Sequence, residues 1–249
     1  MKSGKNILSV SIYSFLFLLM FTINSFSQDS SKSIINFDLG ADFVSRYVWR
    51  GCELDPYPHI EPYATIDLDL SERFNLNFGV YSSYGFTGEY AENDFILELG
   101  YETDFGTLTA KAADYFFPFL NIPFTNFTND TTGAHTVEIS LAYTGTKSFP
   151  VRFLISQNVH GYDPDIHSLY LEAGFFTNIN DIDIDVFIGT AKGYSVWHSV
   201  NTDKLEIVNT GVSLQKSIKV TDDLSIPMGV QFVYNPHMKN SFVILTLSI

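Results

Sequence analysis

The sequence predicts an all-β protein: a single antiparallel up-and-down transmembrane β-barrel of about twelve strands, following an N-terminal signal peptide. Three observations predict it. The first 27 residues have the layout of an export signal. Almost all of the remainder alternates apolar and polar residues with period two, as a sheet with one apolar and one polar face must. The links between the alternating runs are short and long by turns, the two-rim pattern of a membrane barrel.

In the export segment, Lys2 and Lys5 precede an apolar run from Ile7 to Ile23, and Ser25-Phe26-Ser27 forms a small-x-small site before Gln28. That run is short for a membrane span, and no other stretch approaches its apolar length. Residues 28–249 are therefore expected to meet the outer membrane of a Gram-negative cell as a barrel, in which neighbouring strands satisfy every backbone group. The 23 Phe and 14 Tyr suit a lipid-facing wall and its interfacial girdles. The chain carries 14 Lys+Arg against 28 Asp+Glu. An acidic chain cannot neutralise phosphates, which excludes nucleic acid as a partner.

The first strand places Ile35, Phe37, Leu39, Ala41, Phe43, Tyr47 and Trp49 on one face and Asp38, Asp42, Arg46 and Arg50 on the other. The second, about 59–70, sets Ile60, Ala64, Ile66, Leu68 and Leu70 against Glu61, Asp67 and Asp69. The third, about 73–85, opposes Phe74, Leu76, Phe78 and Val80 to Arg73, Asn75 and Asn77. The fourth, about 93–103, opposes Phe95, Leu97, Leu99 and Tyr101 to Asp94, Glu98 and Glu102. Eight more follow at about 107–116, 134–145, 150–160, 167–178, 181–191, 204–216, 224–235 and 241–249.

Short turns at 71–72, 104–106, 145–149 and 178–180 alternate with longer links at 51–58, 86–92, 117–133, 161–166, 192–203 and 236–240. Segment 217–223 is long for the short rim. An even strand count returns both termini to the periplasm. Tyr47, Trp49, Tyr84, Phe116, Tyr143, Phe175, Trp197 and Tyr234 lie near strand ends, as girdle residues do. The last run, Ser241 to Ile249, suits barrel closure. A soluble sandwich shares the alternation; the signal, the loop asymmetry and the aromatic ends separate the two.

The polar face becomes the lumen wall. Its acids are Asp38, Asp42, Glu61, Asp67, Asp69, Asp94, Glu98, Glu102, Glu138, Glu172, Asp183 and Asp185, against Arg46, Arg50, Arg73, Lys111 and Arg152. Such a wall implies water, ion pairs or both. An open acidic lumen passes small solutes and favours cations; a paired one is plugged, and its loops then serve structure or surface interaction. All six histidines (His59, His135, His160, His167, His198 and His237) fall in or beside long links. They are candidates for a transition-metal or pH-sensitive site at the mouth, though polar loops also tolerate histidine. Asp181, Asp183 and Asp185 form a row spaced by about 6–7 Å, which suits a solvated rim better than one calcium ion.

No catalytic motif emerges. His167-Ser168 and His198-Ser199 are adjacent in sequence, so on a strand their side chains face opposite ways and no base meets a nucleophile. Zincin, P-loop and dinucleotide patterns are absent. Neither an enzyme nor a cofactor is expected, and an outer-membrane lipid-modifying enzyme is the least favoured reading. Cys52, the single cysteine, forms no internal disulfide. Asn126-Phe-Thr128 and Asn129-Asp-Thr131 mark an exposed loop.

Ser45-Arg46-Tyr47-Val48-Trp49-Arg50-Gly51 resembles the Ser-Asp-Tyr-x-Phe/Trp-Arg-Gly signature of the TorF-type porins, exported proteins of unknown function. Phe78 to Ser83, Glu92-Asn93-Asp94 leading to Leu99-Gly100-Tyr101, and Asp114 to Pro118 are similar to that family's other motifs. The resemblance covers about the first half of the exported chain and implies an outer-membrane channel without a known substrate. Arg46 stands where the family has an acid or amide, and Cys52 where an aliphatic is usual. On physical grounds the signature is expected to hold Tyr47 and Trp49 outward at the interface. Arg46 and Arg50 are expected to point inward, to acids of the first strand or its neighbours.

Overall fold

In a computed structural model, residues 34–161, 168–195, 200–222 and 224–249 are described. The expected signal peptide, His167, Trp197 and His198 lie outside them. Residues 34–249 form one compact unit.

That unit is a closed antiparallel barrel of twelve strands. Its wall consists of β1 (Ile35–Val44), β4 (His59–Asp69), β5 (Phe74–Gly85), β6 (Ala91–Thr103), β7 (Gly106–Phe116) and β8 (His135–Gly145). It continues through β9 (Val151–Gly161), β10 (Leu169–Ile179), β11 (Ile182–Ser195), β12 (Val200–Lys219), β13 (Ser225–Asn235) and β14 (Asn240–Ser248). Two further strands, β2 (Tyr47–Trp49) and β3 (Cys52–Asp55), pair only with each other.

Period-two alternation sorts the wall. Phe37, Leu39, Leu97, Leu141, Phe153, Phe175, Val186, Val243 and Leu245 are exposed on the outside. Apolar surface of this extent is unstable in water and stable in hydrocarbon. Each short turn has its own chemistry. Ser71 Oγ accepts from the N–H groups of Arg73 and Phe74. Asn180 and Asp181 both take positive φ, 54° and 61°, the two-residue hairpin geometry that matches strand twist. The segment that looked long resolves because β12 runs on to Lys219, leaving a tight turn closed by Val220 N to Leu224 O at 2.8 Å.

The first strand differs from expectation. It ends at Val44, not at Trp49, so the β1–β14 seam has three register pairs, Asp42–Ser248 to Val44–Thr246. At the end of the seam Ser45 N donates to Leu245 O, while Leu245 N donates to Ser45 Oγ, both at 3.0 Å. A side-chain oxygen here takes the place a strand carbonyl would hold. The chain then leaves the wall, and β14 runs past it toward Asn240 with no strand paired on that side.

Candidate functional site

Residues 45–55 turn into the lumen as a small hairpin. Trp49 pairs with Cys52 across a two-residue turn at Arg50-Gly51. Both turn residues have positive φ, 48° and 82°. Glycine tolerates this freely and arginine at some cost, so something must hold Arg50 there.

What holds it is a buried network on the facing wall. Arg50 donates to both carboxylate oxygens of Glu138 on β8, at 2.6 and 2.9 Å, and to Ser156 Oγ on β9 at 3.2 Å. Its guanidinium lies 4.3 Å from the ring centre of Tyr170 on β10 and 4.7 Å from that of Trp49. Tyr115 and Ser140 hydroxyls also donate to Glu138. The Arg50 and Glu138 side chains are 7% and 2% exposed. A two-pronged pair this deep repays its desolvation only when intact.

The tip fits closely on its other side. A Cβ on Gly51 would stand 1.9 Å from the Val208 carbonyl of β12. The Gly51 carbonyl accepts from Asn235 Nδ2 at 3.0 Å. Val48 packs on an inward apolar cluster of Val44, Phe187, Val233, Phe242 and Ile244. Toward the long-loop end, Tyr47 stacks on His59 with ring centres 5.3 Å apart, and Tyr90 meets both. Phe119, in the short 3-10 turn Pro118–Leu120, stacks on Tyr90 at 4.9 Å. The hairpin thus reaches across the lumen, from β8–β10 on one side to β12 and β13 on the other.

This overturns two expectations. Tyr47 and Trp49 are not outward girdle residues; Tyr47 lies against His59, and Trp49 meets Tyr115 edge-on at 5.9 Å. Arg50 does not pair with Asp38, Asp42 or a neighbouring strand, but with Glu138, 88 residues away. Arg46 stays within the hairpin and donates to Glu53 at 2.8 Å.

The other lumen candidates divide into two sides. Asp38 and Asp42 on β1, Glu61, Asp67 and Asp69 on β4, and Glu98 and Glu102 on β6 lie on the inward-alternating face. Asp67 accepts from Asn77 at 2.7 Å, Glu61 from Ser83 at 3.1 Å and Glu102 from Thr107 at 2.9 Å. Across the lumen, Arg152 donates to Glu172 at 2.5 Å and to Asp185 at 2.7 Å. Tyr170 hydroxyl also donates to Glu172, and Asn209 donates to both Tyr170 and Glu172, at 2.9 and 3.1 Å. Asp183 accepts from Asn178 and Asp181 sits in the turn, so the acidic row is dispersed. Lys111 lies on β7 between these sides. Arg73 is at the short-turn rim, 3.7 Å from Asp104.

The four described histidines do not converge. His59 Nδ1 meets Ser83 Oγ at 2.7 Å, and Nε2 lies 3.0 Å from the Asp55 carboxylate. His237 is 3.9 Å from Glu206. His135 and His160 instead fasten the loop 121–134 to the outward side of β6–β9. His135 Nδ1 meets the Asp114 carboxylate at 3.0 Å and Nε2 the Phe124 carbonyl at 2.6 Å, while Phe127 stacks on the ring at 4.0 Å. His160 Nε2 meets the Phe127 carbonyl at 3.0 Å. Within the loop, Asp130 accepts from the Thr132 hydroxyl and N–H, which holds its carboxyl below the usual range. No group of three potential metal ligands occurs among the described residues.

This latch makes one local prediction. His135→Ala removes contacts worth about 1–3 kcal/mol and frees the loop without touching a ladder bond. Limited proteolysis should then cut between residues 121 and 134 while heat-modifiable gel mobility stays that of a folded barrel. Unchanged resistance to cleavage would contradict the latch.

No family model matches this chain, and no curated protein matches it. Solved structures do. One is a chain solved in a study of in-meso crystallization of membrane proteins, with TM-score 0.53 and 9% identity, covering 86% of this chain and 83% of that one. The COG4313 outer membrane channel from Pseudomonas putida F1 aligns with TM-score 0.49 and 9% identity over 89% of this chain and 98% of that one. OccK5 (OpdH) from Pseudomonas aeruginosa aligns with TM-score 0.41 and 8% identity over 89% and 68%. At such identities the first of these speaks for a shared barrel fold, and the looser two add no argument.

Proposed function

We propose that this chain is an outer-membrane channel for small solutes, exported by its first 27 residues and closed at rest by the hairpin of its first extracellular loop. The observation that carries this reading is how the hairpin is held. It shares no ladder pair with the wall. Its main ties to the strands are side-chain groups, chiefly Arg50 with Glu138 and Asn235 with the Gly51 carbonyl. A permanent plug has no need of an independent sheet on one charged anchor. A gate does, because it can leave without breaking the barrel.

The open pathway would run along the acidic side. Asp38, Asp42, Glu61, Asp67 and Glu98 form no ion pair with a described Lys or Arg, whereas the β8–β11 side neutralises its acids with Arg50 and Arg152. Uncompensated carboxylates lining a narrow path favour cations. In planar bilayers under a salt gradient, the purified chain is expected to stay mostly closed, with openings whose reversal potential indicates cation preference. A current that reverses on the anion side would refute the selectivity. Silence at every voltage, in the wild type and in hairpin variants alike, would leave only the structural plug.

A further inference from the structure

Below the hairpin tip, on its short-turn side, lies a cavity of about 240 Å3. Its wall has two characters. Val48, Leu154, Phe187 and Val233 give it an apolar side that merges with the cluster of Val44, Phe242 and Ile244. Lys111, Asn209 and Gln231 give it a polar side. The other charged groups at its edge are already engaged, Arg50 by Glu138 and Glu172 by Arg152. Two glycines of the wall let the bulky rings at the cavity's edge seat closely. A Cβ on Gly211 would fall 2.6 Å from the Phe187 ring, and one on Gly189 2.2 Å from the Tyr170 hydroxyl.

Lys111 is the anomaly. It is half-buried and faces inward, and it forms no ion pair within 4.0 Å among the described residues, although Glu98 stands opposite it in register. Asp94, four residues along the same face of β6, feels the charge of Lys111 only at longer range. Every lumen arginine has a carboxylate in contact; among the described residues this lysine has none within 4.0 Å, and it borders an apolar pocket. A half-buried ammonium with no carboxylate in contact gains from a charge-assisted acceptor, and a ligand's anionic head group would supply one.

We infer that this cavity binds a small amphipathic carboxylate, with its head on Lys111 Nζ and its apolar body along Val48, Leu154, Phe187 and Val233. The chemistry follows from the two-sided lining: few placed polar groups on an otherwise apolar wall fix the orientation of such a ligand. The inference goes beyond the channel reading, since a bound amphiphile is neither required by nor excluded by passage of cations along the opposite side.

Trp49 lines the same cavity, so its fluorescence reports occupancy. The probe is 8-bromooctanoate, whose bromine quenches indole on contact, titrated into the full chain carrying Trp197→Phe. Saturable quenching is expected, with affinity weakened at least tenfold by Lys111→Met. The neutral 8-bromooctanol should bind more weakly than the carboxylate in the parent and be unaffected by Lys111→Met. Linear, unsaturable quenching in both proteins would mean detergent partition only and would overturn the site. Equal affinity for carboxylate and alcohol would overturn the assigned head-group contact. Conductance of Arg50→Ala, recorded on the same preparations, tests the channel separately. Conduction without saturable quenching removes this site and keeps the channel; saturable quenching without conduction does the reverse.

Discussion

Arg50→Ala is expected to turn a mostly closed barrel into a conducting one while leaving the barrel itself intact. The substitution removes both hydrogen bonds to Glu138, the one to Ser156 and the stacking on Tyr170. It also strands Glu138, 2% exposed, without its counter-charge. Removing one partner of a buried ion pair costs about 3–5 kcal/mol. The relief of a positive φ gives back little, since alanine is also disfavoured there. At about 1.4 kcal/mol per tenfold, the seated hairpin loses a factor of a hundred or more in population. All of that loss falls on the hairpin, because its two strands pair only with each other. Bilayer recording should show long openings where the wild type shows brief ones, and heat-modifiable mobility should not change. Adding Glu138→Gln removes the stranded charge and should lengthen the closed times again. That restoration distinguishes a specific latch from general damage, since unrelated lesions would add. A closed Arg50→Ala barrel would show that the ion pair does not hold the gate.

Much of this architecture was legible because the wall obeys a one-residue rule. Leu97 and Leu99 outward against Glu98 and Glu102 inward is a local pattern, and each of the twelve strands is set by such alternation and by turn residues beside it. The hairpin escaped for the same reason. Tyr47 and Trp49 continue the alternation of Phe43, so the pattern runs on although the chain has left the sheet. One signal was present: Tyr-Val-Trp and Cys-Glu-Leu are short alternating runs separated by two residues ending in Gly, a hairpin spacing. Arginine in the first turn position obscured it, since Asn, Asp or Gly is the usual occupant. Its reason for being there, Glu138, lies 88 residues on and is not a local matter. The same holds for Phe187, Val233, Phe242 and Ile244, apolar residues on the inner face that make sense only once Val48 rests on them. The described histidines show the opposite case. Among them, nearness along the chain is not nearness in space, because His135 and His160 secure a loop to the outer wall while His59 is buried within.

Gly51→Val should open the barrel by a route that leaves every charge in place. At φ 82° a β-branched residue is strongly disfavoured, by about 1–3 kcal/mol. Sterics add to this. The new Cβ would stand 1.9 Å from the Val208 carbonyl, a buried backbone atom at a bulge of β12 rather than the end of a flexible side chain. The tip must therefore withdraw, and the Asn235 amide loses the Gly51 carbonyl it donates to. Once the tip has withdrawn, Arg50 cannot reach Glu138 with both donors. Gly51→Val and Arg50→Ala thus break one seating event in two places. The double variant is expected to conduct about as much as either single one, a non-additivity typical of residues acting as a unit. Ion selectivity should also match between the two, because the acidic side is untouched in both. If Gly51→Val instead stays closed with wild-type openings, the tip does not press on β12. If the double variant conducts far more than either single one, Arg50 and Gly51 hold different parts of the closure, and the hairpin does not move as one body.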